Sequence, residues 1–215
     1  MKKHIIISLL FVISLSVFAK NNNQKEWKKV SIPEICSLEV PLSMEIRDKN
    51  SIINTIMKDY VESYNLKLSE NQVILQPKGF EKMEYFATSL YARILISFER
   101  GDYSEIKNMV ANITVSDLKD ITELFQGQVK EAMEIGGMTL LKISSTSIKN
   151  IGNRKALYFE YIRKSTDSNK SDVLVHSYRV FDNKYYTEIT FSHRIGESEI
   201  WKKDFERCKM SFVFQ

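Results

Sequence analysis

Few side chains in this sequence can do chemistry, and their spacing limits which kinds. Two cysteines, Cys36 and Cys208, and two histidines beyond the first twenty residues, His176 and His193, are the natural candidates. A nucleophilic cysteine needs an accessible, electropositive setting and a histidine to take its proton; neither cysteine sits beside a histidine in a recognisable signature. Structural zinc sites need closely spaced Cys or His ligand pairs, and none occurs here. His176 and His193 fall on what read as neighbouring strands, yet two residues alone make no ligand set. There is no G-x-S-x-G elbow, no P-loop and no G-x-G-x-x-G turn; Gly136-Gly137 reads as a helix stop. Glu123, Glu131, Glu134, Glu197 and Glu199 read as solvated helix faces or helix-start acids, with nothing to pair any two of them in a cleft. Asn112-Ile-Thr114 and Asn169-Lys-Ser171 match the glycosylation sequon, which matters only in a eukaryotic secretory chain. No catalytic residue, metal ligand or cofactor is assigned, and the ligand-binding residues stay unknown.

The start of the chain says where these groups work. Lys2 and Lys3 precede an apolar run from Ile5 to Ala19, and Val17-Phe18-Ala19 offers a signal peptidase site. The run is short for a bilayer-spanning helix, which needs roughly 20 apolar residues. Residues 1–19 are expected to be a signal peptide cleaved after Ala19, with no permanent transmembrane segment left; an uncleaved anchor is the alternative. Residues 20–26 follow as a polar, flexible mature N-terminus, and 27–215 as a single domain. The product is periplasmic or secreted. It is no lipoprotein, because Lys20 stands where the lipidated cysteine would be and Pro33-Glu34-Ile35 before Cys36 lacks small residues. The twin-lysine start and heavy use of Lys, Asn and Ile look bacterial.

In an oxidising compartment an even cysteine count favours pairing. The segment Glu197–Cys208 places Ile200, Trp201, Phe205 and Cys208 on one helical face, so Cys208 points inward, where Cys36 can meet it. A Cys36–Cys208 disulfide is expected, against two separate buried thiols. The net charge of the 215-residue chain is +4 with both signs interspersed, which gives no reason to expect nucleic acid. With 43% hydrophobic residues and twelve phenylalanines, the chain can bury a sizeable core.

The elements that must position these residues follow from periodicity. Strands are expected at Trp27–Ile32 and Ser37–Ile46, with Pro33 and Pro41 interrupting them, and at Val73–Gln76 and Leu90–Phe98, and helices at Ser51–Tyr64 and Ser116–Glu134, the latter capped by Ser116. Its buried stripe is Leu118, Ile121, Leu124, Phe125, Val129, Ala132 and Met133. Thr139–Ile148, Lys155–Arg163, Asp172–Phe181 and Tyr185–His193 then read as an antiparallel meander. A two-residue turn at Asp182-Asn183 would pair Val180 with Tyr185 and His176 with Ile189, leaving His176 a satisfied histidine among apolar neighbours. Tyr186, Tyr91 and Arg93, on the other face of their strands, are candidates for a binding surface unless a helix covers them.

Three phrases, "VSIPEICSLEVPLSMEIR", "YARILISF" and "ESEIWKKDFERCKMSFVF", together with the element order, resemble exported proteins of the PsbP/Mog1-like fold. The resemblance implies an α+β architecture, an antiparallel β-sheet flanked by helices in an α/β/α sandwich. Members include extrinsic photosynthetic subunits, GTPase-binding proteins and bacterial envelope proteins, so it implies a binding or assembly role and carries over no site residue. The expected function is a non-catalytic envelope protein that binds a protein or a small apolar ligand. The alternative is a secreted hydrolase built from scattered acids and His193.

Overall fold

The computed structural model describes residues 25–47, 71–80, 90–165 and 169–215. The expected signal peptide and the helix at Ser51–Tyr64 lie outside them. Strand β1 (Trp27–Ile32) turns back into β2 (Cys36–Pro41), and the short β11 (Val213–Phe214) adds to the far side of β2. The turn between β1 and β2 puts Glu34 in the left-handed region at φ 63°. A second, eight-stranded sheet runs β3 (Met44–Ile46), β4 (Gln72–Pro77), β5 (Ala92–Arg100), β10 (Tyr185–Arg194), β9 (Val173–Phe181), β8 (Arg154–Arg163) and β6 (Leu140–Ile143), with β7 (Ser147–Ile151) also pairing with β8. The pairings are antiparallel throughout the described residues. The fold class is α+β.

Alternation divides the large sheet into two faces. One buries Leu75, Ile94, Ile96, Tyr158, Tyr178, Ile189 and Phe191 against the small sheet and α3 (Ser198–Met210). The other carries Leu157 and Phe159 under α1 (Ser104–Ala111) and α2 (Val115–Ile135), which supply Val110, Phe125, Val129 and Met133. The two layers of helix thus bracket the sheet.

Several expectations need correction. The interruption expected at Pro41 in Ser37–Ile46 falls just after it, at Leu42-Ser43, and separates two strands of different sheets. Thr139–Ile148 likewise divides into β6 and β7, both hydrogen-bonded to β8. Helix α2 is capped by Thr114, not Ser116: Thr114 Oγ1 accepts from the Asp117 N–H while the Asp117 carboxylate accepts from the Thr114 N–H. Leu124 of its expected stripe is exposed. On α3, Ile200 is exposed and Asp204 is buried instead, its carboxylate paired with Lys25.

The register of the β9–β10 hairpin is displaced from the expected one. Val180 faces Thr187, Tyr178 faces Ile189 and His176 faces Phe191. The favoured two-residue turns need positive φ at the first central residue, and type I′ at both, and Glu34 is the one non-glycine residue with positive φ among those described. The turn shifts along the chain instead: the Asp182 N–H bonds the Tyr185 carbonyl at 2.9 Å, leaving Asn183 and Lys184 between them. The faces are preserved, and Arg179 now lies opposite Glu188, 3.5 Å from its carboxylate.

Candidate ligand-binding site

Strand alternation puts Tyr158 and Glu160 of β8, His176 of β9 and His193 of β10 on the α3 side of the sheet. The 3-10 turn Ile195–Glu197 bends the chain sharply after β10, so that α3 returns across these strands. Between them is a cavity of about 370 Å3. Leu174, Tyr178, Phe191 and Phe205 make its apolar walls, and Lys149, Glu199, Lys202, Glu206 and Lys209 stand at its rim. Two broader depressions, of about 820 and 920 Å3, have rims of mutually paired charges such as Arg207–Glu39, and Arg154–Asp182 beside Arg100–Glu34.

The histidines define the cavity's chemistry. Their rings lie nearly parallel, 6.2 Å apart and 22° between planes, and the Phe205 ring meets His193 edge-on at 5.7 Å. Ser198 Oγ donates its single proton to the Ile195 carbonyl at 2.7 Å, so it must accept from His193 Nε2–H at 3.0 Å. That leaves the lone pair on Nδ1 of His193, an atom sealed from solvent and without a partner. His193 as a whole is 3% exposed. Tyr158 donates to Glu160 at 2.6 Å, so its oxygen accepts from His176 Nδ1–H at 2.8 Å. His176 therefore also turns a bare nitrogen, Nε2, away from its hydrogen-bonded side.

Burial, then the neighbouring His176, pushes His193 down to about 4, against a small opposing pull from Glu197. Burial also lowers His176, against the Glu160 carboxylate. The Tyr158 hydroxyl is pushed up by burial and by its hydrogen bond to Glu160. At neutral pH the cavity is thus lined by two uncharged imidazoles. An unpartnered buried acceptor costs roughly 1–3 kcal/mol, which a ligand's N–H or O–H group would recover.

The sequence reading placed His176 and His193 on neighbouring strands but missed the cavity. Its signal was present: residues of one parity on adjacent strands share a face. His176 is held through Nδ1 by Tyr158, as a satisfied histidine would be. Among the described residues, no three His, Cys, Asp or Glu side chains converge to hold a metal ion. Cys36 and Cys208 are free thiols in this structure, wholly buried in one core cluster, and burial pushes each up to about 12. Tyr186 is stacked against Phe181 at 5.1 Å and lies 6.1 Å from Tyr103, so part of its ring is covered.

The strand order and helix placement match a solved structure across nearly the whole chain. Cyanobacterial PsbP (CyanoP) from Synechocystis sp. PCC 6803 superposes with a TM-score of 0.51 over 92% of this chain and 97% of its own, at 11% identity. The fold is PsbP-like. A protein from Bacteroides thetaiotaomicron aligns at a TM-score of 0.47 and 13% identity over 87% of this chain, which spans 48% of that protein's length. LpqN of Mycobacterium tuberculosis, involved in cell envelope biogenesis, aligns at 0.45 and 8% identity over 90% of this chain and 93% of its own. No family model and no curated protein matches the sequence. At these identities the PsbP-like likeness speaks for architecture, and the cavity must be read on its own residues. No helix among the described residues is long and apolar enough to cross a membrane.

Proposed function

We propose that this chain is an exported, non-catalytic binding or assembly protein of the bacterial envelope. It holds a small, mostly apolar ligand with a hydrogen-bond donor in the cavity beneath α3. The observation that carries this reading is the buried, partnerless Nδ1 of His193, set among Phe191, Phe205 and Tyr178. Aromatic walls supply affinity, and a few placed polar groups fix orientation, as in ligand pockets generally. Support for export comes from the basic, apolar start ending in Val17-Phe18-Ala19. In that compartment the two buried cysteines of one cluster pair with each other.

The hydrolase alternative has one observation in its favour, the 3.0 Å contact between His193 and Ser198. Its proton runs the wrong way for catalysis: the histidine donates to the serine, and the serine hydroxyl is spent on the Ile195 carbonyl. Ser198 opens α3 as part of the corner that seats it.

Isothermal titration with phenol, indole and n-butylamine tests the binding reading. At least one is expected to bind the unmodified chain and to lose binding in His193→Phe, which replaces the acceptor by carbon. Failure of all three, or equal binding to the variant, overturns the cavity as the site. Hydrolysis of a nitrophenyl ester that disappears in Ser198→Ala would establish the hydrolase instead.

A further inference from the structure

The opposite face of the sheet carries an unusual accumulation of positive charge around Tyr91. Arg93 of β5, Arg194 of β10 and Arg163 of β8 place their guanidinium carbons 5.7, 5.6 and 6.0 Å from the centre of its ring. The ring is almost wholly buried, lying against Phe80 at 5.7 Å with Val173 and Val175 in the same cluster. Among the described residues Glu197 serves the group, binding Arg194 at 3.1 Å and accepting the Tyr91 N–H at 2.8 Å. Arg93 and Arg163 have no carboxylate partner among the described residues. Arg163 reaches only the Tyr91 hydroxyl, at 3.2 Å, and the Lys164 carbonyl, at 3.4 Å. The Arg93 Nε is closed to solvent and has no acceptor at all.

Holding the Arg93 and Arg163 guanidinium groups half-buried near a third, with no counter-charge of their own among the described residues, is costly, because each loses hydration and gains repulsion. We propose that Arg93 and Arg163, with the Tyr91 hydroxyl, form a binding site for a small oxyanion, a phosphate or carboxylate group. The guanidinium fork presents parallel N–H donors at the spacing of such oxygens, which a lysine cannot do. The Tyr91 oxygen already accepts from Arg163, and its own proton is shared with Ser192 at 3.3 Å or given to the ligand. The local field agrees with this assignment. Burial alone raises the Tyr91 hydroxyl, yet Arg93, Arg163 and the two hydrogen bonds more than reverse it. Because Arg194 directly follows His193 in β10, this site and the histidine cavity lie on opposite faces of the sheet, with Glu197 acting on both.

The test is thermal unfolding and isothermal titration of the full chain with sodium phosphate, sodium acetate or sodium chloride at matched ionic strength. Phosphate or acetate at millimolar concentration is expected to raise the midpoint by a few degrees over chloride, with saturation. Whichever of the two binds names the group. Arg93→Gln and Arg163→Gln are expected to lose that increment and to weaken the anion by on the order of tenfold or more. Arg163→Lys, which keeps the charge and the fold, retains only part of it. A midpoint that rises equally in chloride overturns the site, as does an increment kept by both glutamine variants. If the glutamine variants do not fold, an Arg163→Lys chain that binds as tightly as the original overturns it as well.

Discussion

Acidifying the protein through the range where histidines titrate measures the His193 environment directly. In the unfolded chain His193 protonates near 6.5; in the folded protein burial and His176 hold it down to about 4. A depressed histidine binds its proton more readily when unfolded, so its contribution to stability is complete above about pH 6.5. It is lost progressively as pH falls, down to about 4, where both states are charged. The full difference of about 2.5 units corresponds to about 3 kcal/mol, of which about 2 kcal/mol is gone by pH 5. No discount for solvent screening applies to a side chain 3% exposed. The groups facing the pair are few. His193 meets His176 from β9, Glu197 from the 3-10 turn and Ser198 from α3; His176 meets Glu160, Lys149, Glu206 and Lys209. Asp102, Asp117 and Asp182 are held below their ordinary values and remain charged through this window. Urea unfolding at pH 7, 6 and 5 is expected to show the loss. His193→Phe, which cannot titrate, is expected to remove half or more of the slope, leaving the smaller part due to His176. Parallel losses in the two proteins would refute the reasoning, and so would an NMR titration placing His193 near its ordinary value.

Gly152 sits in the β7–β8 turn at φ 53°, and a Cβ there would stand 2.0 Å from the Phe212 carbonyl oxygen. Gly152→Ala is therefore expected to cost at least about 2 kcal/mol, read as a shift in the urea midpoint with unchanged slope. Thr114→Ala removes one half of the α2 capping box and is expected to cost about 1 kcal/mol, while Ser116→Ala at the rejected cap position changes stability by a few tenths. For the cysteines, non-reducing peptide mapping of protein recovered from the envelope is expected to find Cys36 joined to Cys208. The crosslink is worth up to about 5 kcal/mol against the reduced protein, and recovery of both thiols free removes the pairing.

The parts of the fold that were legible in the sequence are those with long, regular patterns. β5, β9 and β10 alternate over nine or ten residues, and α2 repeats its apolar positions over five turns. Helix α1 escaped because eight residues with only Val110 buried, and with Ile106 and Met109 exposed, make no stripe. The β9–β10 register escaped because Asp182 is engaged by Lys107 and Arg154, from α1 and β8, which no local rule contains. The cavity was out of reach for a related reason. Parity placed the two histidines on one face, but the lone pair at Nδ1 exists because Ser198 claims Nε2. That claim depends on the corner between β10 and α3.

The clasp between β2 and β11 has a kinetic consequence. Cys36 faces Phe214, and the Gln215 N–H bonds the Ile35 carbonyl at 3.1 Å, so two segments from opposite ends of the domain meet in one small sheet. Bringing them together closes a loop over almost the whole fold, at an entropic cost on the order of 5 kcal/mol. Contacts of such separation slow folding. The central hairpins can form first, and the clasp is expected to close after the main barrier. Substitutions in β11 should then speed unfolding while leaving the refolding rate nearly unchanged.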